Sequence, residues 1–113
     1  MLDIHKLALL PAVIELLLSN NATNIKQIIV FGSYARGEAD EWSDLDILVL
    51  TDLDNEQLSE LDRKLTDATS YFSAKHGLLI SIITQNQLHF QKWVNFLPLY
   101  KNIRNEGCVL YAA

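Results

Sequence analysis

Two short polar motifs adjoin apolar runs and carry the residue types that phosphate chemistry requires. Gly32-Ser33 directly follows the apolar run 28–31, and Asp44 and Asp46 stand at the start of the apolar run 45–50. A Gly-Ser pair after a strand lets the backbone turn sharply and approach a ligand, and the serine can cap the helix that follows. Because N–H groups exposed at such a helix start favour anions, the first motif predicts a phosphate-binding turn.

The second motif predicts a cation site. Asp44 and Asp46 are two residues apart in a strand-like run, so their side chains leave the same face, with backbone positions about 6–7 Å apart. Two carboxylates brought to about 4 Å repel by about 4 kcal/mol at an effective dielectric near 20, and a divalent cation turns that repulsion into binding. Magnesium takes carboxylates together with substrate phosphates, so the two motifs indicate phosphoryl or nucleotidyl transfer.

Taken singly, each motif is typical of an ordinary turn or a solvated strand end, but their spacing matches a known family. Gly32-Ser33, ten intervening residues and Asp44-x-Asp46 resemble the signature of the DNA polymerase β-like nucleotidyltransferases. The fuller strings Gly-Ser-Tyr-Ala-Arg-Gly-Glu-Ala and Ser-Asp-Leu-Asp resemble the minimal nucleotidyltransferase (MNT) branch, small prokaryotic proteins often paired with a HEPN-domain partner. The resemblance is strong over residues 28–50 and rests on layout over the remainder.

The resemblance implies a Mg²⁺-dependent enzyme that transfers a nucleoside monophosphate, AMP from ATP, to a hydroxyl group. It further implies that the chain is the antitoxin of a HEPN/MNT toxin–antitoxin pair, with a HEPN-domain protein encoded nearby as its partner. By the same resemblance, Gly32, Ser33 and Arg36 bind the nucleotide. Asp44 and Asp46 are the catalytic residues and hold Mg²⁺.

One residue that the family site requires is missing. Catalytic members carry a third carboxylate on the strand beside the Asp-x-Asp strand. By layout this position falls in the run 78–84, at Ser81, and no Asp or Glu stands near enough to replace it. Serine is a neutral and weak metal ligand. Either the reaction runs with a reduced site, or a partner or substrate supplies the missing group, or the chain is a catalytically impaired nucleotide-binding MNT module that acts by binding a HEPN partner.

Two further residues near the motifs have alternative interpretations. Arg36 can reach a triphosphate, or it can simply pair with Glu38 or Asp40. Trp42, in the loop before Asp44, is interpreted as a packed lid for the turn rather than as a platform for base stacking.

The spacing of apolar residues predicts alternating helices and strands. Helices are predicted at 3–19, kinked or restarted at Pro11, at 52–75, and at 85–104, broken at Pro98. Strands are predicted at 25–31, 45–50, 78–84 and 108–111. This order predicts an α+β fold (an α/β sandwich): a nucleotidyltransferase-like mixed sheet of about four strands packed with helices, in a single MNT domain over residues 1–113.

Two burial predictions accompany these elements. The run 78–84 is nearly continuous in hydrophobic residues, which predicts a central strand covered on both faces. Cys108, the single cysteine, lies in the apolar run 108–111. It is therefore predicted to be a buried small hydrophobe in a reducing compartment, the cytoplasm.

The distribution of charge narrows the classes of partner. The chain has a net charge of −5, and residues 38–67 hold eleven acids against Arg63 and Lys64, whereas residues 68–105 hold no acid. Without a basic stripe, the chain is not expected to hold a nucleic acid tightly. The apolar run 7–18 is too short to span a bilayer, so no membrane association is expected. Small nucleotides and protein surfaces remain as partners, and a homo-oligomer stays open.

An aromatic-rich segment, residues 88–100, adds a candidate protein interface. It contains Phe90, Trp93, Phe96 and Tyr100, and such side chains are enriched at the buried centres of interfaces. Covering the sheet explains the same residues equally well, and the sequence leaves both alternatives open.

Overall fold

The computed structural model describes residues 4–19 and 23–113, and its elements follow the predicted order, with the first and last predicted helices each divided in two. The helices are α1 Ile4–Leu7, α2 Leu10–Leu18, α3 Gly32–Ala35, α4 Asn55–His76, α5 Gln87–Trp93 and α6 Pro98–Glu106. The strands are β1 Ile25–Phe31, β2 Leu45–Thr51, β3 Ile80–Asn86 and β4 Cys108–Ala112.

The four strands form one mixed sheet in the order β3-β2-β1-β4. β1 pairs antiparallel with both β2 and β4, while β2 and β3 pair in parallel. α4 joins the parallel pair, because parallel strands require a long crossover connection. The predicted α+β fold with a mixed sheet of about four strands is confirmed.

Helices cover both faces of the sheet, so the protein has two apolar layers. Because side chains alternate along a strand, Ile47 and Val49 of β2 pack with α2 and α4, whereas Leu48 and Leu50 pack with α5 and α6. Asp46 lies two residues before Leu48 and therefore belongs to the α5–α6 face of the sheet.

Proline residues mark the starts of two helices. Pro11 lies in the first turn of α2 and Pro98 in the first turn of α6, where a missing N–H leaves no intrahelical bond unmade. The predicted restart at Pro11 and break at Pro98 are confirmed, while the predicted start at residue 3 lies outside the described residues. Over residues 4–19 and 23–113, no helix is long and apolar enough to cross a membrane.

α4 begins and ends at signals in its own sequence. The Asp54 side chain accepts a hydrogen bond from Gln57 N at 2.9 Å, and Gln57 Oε1 accepts one from Asp54 N at 3.1 Å, which together form a capping box. Gly77 follows the last helical residue with φ of 64°, the left-handed conformation that commonly ends a helix. α4 begins slightly later than the predicted residue 52 because Asp54 caps the helix instead of continuing it.

Two burial predictions are wrong in part or in full. β3 is an edge strand of the sheet, not a central one. Its apolar residues do pack on both faces, Ile82 in the α2–α4 layer and Ile83 in the α5–α6 layer. The hydrophobic run therefore indicated two covered faces but not two neighbouring strands. Cys108 is exposed, because β4 is a short strand at the opposite edge of the sheet.

Candidate nucleotide and metal site

The two predicted motifs meet at one end of the β1–β2 pair. Phe31, the last residue of β1, pairs with Asp46 of β2, which brings Gly32 beside that aspartate. Gly32 has φ of 71°, and a Cβ atom added to it would overlap Asp46 Oδ2 and lie 3.3 Å from Asp46 Cγ. Because glycine alone lacks that atom, it allows the turn and the carboxylate to lie in contact.

The loop that leads into β2 is shaped by a turn built on Asp40. Asp40 Oδ1 accepts hydrogen bonds from Trp42 N at 2.9 Å and from Ser43 Oγ at 3.2 Å. These bonds, the one from Trp42 foremost, lower the pKa of the Asp40 carboxyl. Asp44 follows the turn and is exposed, immediately before β2 begins. The turn therefore fixes the position of Asp44, the first aspartate of the pair, at the end of the loop.

Burial and two charged neighbours set the pKa of the Asp46 carboxyl. Burial raises the pKa of the Asp46 carboxyl, and the neighbouring Asp44 carboxylate raises it further, while the Arg36 guanidinium lowers it in part. A cation held between Asp44 and Asp46 would favour the ionised form of both carboxylates.

Ser81 lies beside Asp46 on the neighbouring strand, where the layout predicted it. The two residues are direct partners in the β2–β3 ladder, and paired residues point to the same face of a sheet. Ser81 is exposed at the sheet edge. In the described ranges, no group of three or more His, Cys, Asp or Glu side chains is placed to hold a metal ion. The residue that pairs with Asp46 on β3 thus offers a hydroxyl group.

Arg36 binds two carboxylates in the structure. Its Nε donates to Glu38 Oε2 at 3.1 Å, and its Nη1 donates to Glu106 Oε2 at 3.2 Å. Glu38 was one of the predicted partners, Glu106 was not foreseen, and Asp40 instead bonds within its own turn. A phosphate group would have to compete with two glutamates for this guanidinium.

Two details of the predicted site are wrong. Ser33 does not cap α3: the N-cap position is Phe31, and no side chain caps the helix. Trp42 is not a packed lid, since the residue is 82% exposed. Both residues nevertheless lie in the segments that flank the Gly32–Asp46 contact.

Sequence reasoning missed two residues that shape the site. The Asp40-x-x-Ser43 spacing is a turn signal of the Asx type and was available in the sequence. Glu106 lies 70 residues from Arg36, and no local pattern marks it as a partner.

The donor atoms fit a small, hard cation. Asp44, Asp46 and Ser81 offer only oxygen ligands, which Mg²⁺ prefers. A Cβ atom at Gly32 would overlap Asp46 Oδ2, so the backbone of the turn lies directly against this carboxylate. The structure therefore places the glycine turn and the Asp46 carboxylate at the same end of the sheet, with Asp44 immediately before β2.

A mixed sheet with a glycine turn packed against paired aspartates is the layout of a nucleotidyltransferase. The family model described as the nucleotidyltransferase domain matches residues 10–111, and the chain belongs to this family.

The relatives refine the position of the chain within the family. A protein of Methanocaldococcus jannaschii, provisionally named a protein adenylyltransferase, is 40% identical over 87 residues, which cover 77% of this chain and 79% of the relative. The protein adenylyltransferase MntA of Thermococcus cleftensis is 41% identical over 64 residues, which cover 57% of this chain and 60% of MntA.

A solved structure described as a toxin–antitoxin with AMP-PNP contains a chain with the same fold. That chain is 25% identical, with a TM-score of 0.54, and the match covers 90% of this chain and 73% of the other. The predicted membership in the MNT branch is confirmed by these similarities.

Proposed function

We propose that the chain is a protein adenylyltransferase that transfers AMP from ATP to a hydroxyl group of a partner toxin, a HEPN-domain protein encoded nearby, and so acts as its antitoxin. The contact between Gly32 and Asp46 carries the proposal, because it joins the phosphate turn to the paired aspartates. The names of the relatives support adenylyl transfer, and the neighbour with AMP-PNP supports a toxin–antitoxin setting. The cytoplasm is the proposed compartment, since it would keep the exposed Cys108 thiol reduced.

Each residue of the site has a proposed part. Gly32 and Ser33 receive the phosphates of ATP at the turn, while Asp44 and Asp46 hold Mg²⁺. When bound, Mg²⁺ offsets the negative charge that the phosphates and the two aspartates bring together. Arg36 exchanges a glutamate for a phosphate oxygen, because a guanidinium binds either anion by charge-assisted hydrogen bonds.

The reaction is a displacement at the α-phosphorus of ATP. A bond forms between the acceptor oxygen and this phosphorus, and the bond to the oxygen that bridges the α- and β-phosphates breaks. Pyrophosphate leaves with the electron pair, and the proton of the acceptor hydroxyl passes to water. The contribution of the chain is to hold the phosphates in line with the acceptor, since phosphoryl chemistry of this kind depends on positioning and charge.

The α5–α6 apolar patch is the proposed contact with the partner. The segment 88–100 is divided in the structure: Phe90 and Tyr100 are buried against the sheet, whereas five other apolar side chains are exposed. These five define the patch: Leu88, Trp93, Phe96, Leu97 and Leu99. Large apolar side chains that the fold leaves exposed together mark interaction sites.

Replacing Trp93 tests the patch. The Trp93 ring packs edge-on against Phe96, with ring centroids 6.1 Å apart, and lies partly outside the core. We expect Trp93→Ala to weaken complex formation more than it weakens folding, as measured by co-purification with the partner and by thermal unfolding. A complex of unchanged affinity would exclude the patch as the contact.

A second function is favoured by Ser81. Because the third position carries a neutral hydroxyl group opposite Asp46, the chain would bind the nucleotide without efficient turnover. It would then be a catalytically impaired MNT module that restrains the HEPN partner by complex formation alone.

One experiment separates the two functions. The purified chain is incubated with its partner, Mg²⁺ and ATP labelled in the α-phosphate, and ATP affinity is measured in parallel by calorimetry. We expect label on the partner, and we expect Asp44→Asn and Asp46→Asn each to abolish both transfer and Mg²⁺-dependent ATP binding. Asp52→Asn is the matched control, because Asp52 is exposed and pairs with Lys26 at 3.6 Å.

The outcomes are distinct. A stable complex that never acquires label supports the second function. Unchanged ATP affinity in both aspartate variants rules out the assigned site.

A further inference from the structure

The two edges of the sheet are built differently. In the described part of the chain, β4 is a five-residue strand whose pairing with β1 is interrupted, because the register skips Leu110. β3 pairs with β2 without interruption over residues 80–86, and its sequence Ile-Ser-Ile-Ile-Thr-Gln-Asn contains no charge and no proline. Proteins usually protect an edge with bulges, charges or proline. β4 has such protection and β3 lacks it.

The hydrogen-bonding pattern shows which backbone groups of β3 face outward. Leu79 O accepts from Leu45 N at 2.8 Å, and Gln85 O accepts from the hydroxyl group of Thr51 at 3.3 Å. The odd-numbered residues of β3 therefore bond towards β2. Because bonding alternates along a parallel ladder, the N–H and C=O groups of Ile80, Ile82 and Thr84 point away from the sheet.

Two grooves run along this edge between α4 and β3. They have volumes of about 380 and 490 Å³, and both are lined by Ile82. The second groove also contains Asp62 and Thr84, and Thr84 Oγ1 donates to Asp62 Oδ1 at 3.4 Å. Among the described residues, the salt bridges include none to Asp62. The groove thus offers a carboxylate that can take a cation from outside.

We propose that an extended segment of the acceptor protein adds to β3 as a fifth strand, with its acceptor hydroxyl residue opposite Ser81 and a lysine or arginine beside Asp62. This inference rests on the proposed function. Strand addition to an exposed edge is an established mode of peptide recognition, in which the backbone gives affinity and alternate side chains give specificity.

The register of the sheet links this surface to the site. A residue opposite Ser81 points to the same face as Ser81 and Asp46, and it lies two strand spacings, about 10 Å, from Asp46. A residue opposite Thr84 points to the α4 side, next to Asp62. Since Thr84 lies three positions from Ser81, the segment should carry its basic residue three positions from the acceptor.

Charge favours such a segment over a second copy of this chain. The β3 strand of a second copy contains no lysine or arginine to pair with Asp62. A second copy would also bring its own α4, with the same acidic residues, towards the α4 of the first copy.

The backbone is tested with Thr84→Pro, which removes an outward N–H but no bond to β2. We expect the rate of label transfer to the full-length partner to fall about tenfold, as for loss of a hydrogen bond at a docking site, while ATP affinity stays unchanged. Thr84→Val retains the N–H and loses only the hydroxyl group, so its effect should be clearly smaller than that of proline.

Charge is tested with Asp62→Lys on the same assay. We expect kcat/KM for the partner to fall about fivefold through KM, the size of effect that one partly exposed ion pair produces. Asp67→Lys is the matched control, because Asp67 is exposed on α4 and lines neither groove. Its kcat/KM should equal that of the wild type. If Thr84→Pro fails to fold, Asp62→Lys decides the question.

Three outcomes would overturn the inference, and they differ from failure of the proposed function. Wild-type transfer in both Thr84→Pro and Asp62→Lys would mean that the acceptor docks elsewhere. If the wild type is a dimer and Thr84→Pro is a monomer with unchanged transfer, the β3 edge is a contact between two copies of this chain. No label transfer by the wild type would remove the proposed function, and this inference with it.

Discussion

Asp46 has a closed side and an open side. Towards β1, Gly32 lies so near the carboxylate that even a methyl group would overlap it. Towards β3, the neighbour is Ser81, exposed at an unprotected edge of the sheet. We interpret the closed side as the proposed nucleotide side, which the chain forms by itself. We interpret the open side as the proposed acceptor side, which another molecule would complete.

The two sides also differ in how the chain builds them. β1 and β2 are antiparallel, joined by one loop and the short α3, so a turn residue and an aspartate come together over a short stretch of sequence. β3 reaches Asp46 only after the 22-residue α4. The closed side is therefore local in the sequence, and the open side depends on a long crossover.

The largest expected effect is on the closed side. Gly32→Ala should abolish ATP binding and destabilise the protein, because the new Cβ overlaps Asp46 Oδ2 in addition to the strain of φ 71°. Gly37→Ala is the matched control, since Gly37 has φ of 72° and open space around it. The control should lose only about 1–2 kcal/mol of stability from left-handed strain and keep ATP binding. Calorimetry measures ATP binding, and urea unfolding measures stability. Equal results for the two variants would contradict the interpretation that close packing of Gly32 against Asp46 is needed for ATP binding.

The next effect concerns the open side. Ser81→Asp should tighten Mg²⁺ binding roughly tenfold, about 1.4 kcal/mol, because it adds a third anionic oxygen opposite Asp46. Since Ser81 is exposed, the added charge stays hydrated without the metal. The variant should therefore gain more in melting temperature on addition of Mg²⁺ than the wild type does. Ser81→Asn, neutral and of the same shape as the aspartate, is the control, and an equal gain in both variants would place residue 81 outside the metal site.

A smaller effect is expected on the stability of the metal-free protein. The folded state raises the pKa of Asp46, so the free energy of unfolding decreases as pH rises from the ordinary aspartate pKa through the raised value. Asp46→Asn cannot ionise and should melt about 2 °C higher than the wild type at pH 7, a modest shift because Asp46 is only partly buried.

The pH dependence and a second variant check this reading. The gain of Asp46→Asn should vanish below about pH 3.9, where the carboxyl is protonated in both states. Asp44→Asn should give a lesser gain, since it removes only the weaker of the two causes that raise the pKa. A lower melting temperature of Asp46→Asn at pH 7 would mean that the carboxylate stabilises the fold without metal.

The smallest effect on stability is expected for Trp42, in the loop before Asp44. Because Trp42 is 82% exposed, Trp42→Ala should change the free energy of unfolding by less than about 0.5 kcal/mol. A packed lid would instead lose about 3–5 kcal/mol. Urea unfolding distinguishes the two, and a loss in the larger range would restore the lid interpretation.

Sequence patterns predicted the elements well where the signal lies within one element. The bounds of β1, the break at Pro98 and the end of the long helix before Gly77 follow from periodicity, proline and glycine chemistry that act over a few residues. The same reasoning failed for Trp42 and Cys108. Their burial depends on what packs over them, and an apolar run or a bulky side chain carries no information about that.

The sequence by itself predicted the chemistry proposed for this protein: a glycine turn, two aspartates two residues apart at the start of a strand, and a serine where the resemblance implies a third acid. These are residue types at short spacings, and backbone geometry at that range is set by the strand repeat and the turn. Only the tertiary structure decided that Gly32 touches Asp46, that Glu106 binds Arg36, and that β3 is an open edge. The first depends on the register of the β1–β2 pair, the second joins residues far apart in the chain, and the third concerns a missing neighbour. All three are settled by the packing of the whole fold.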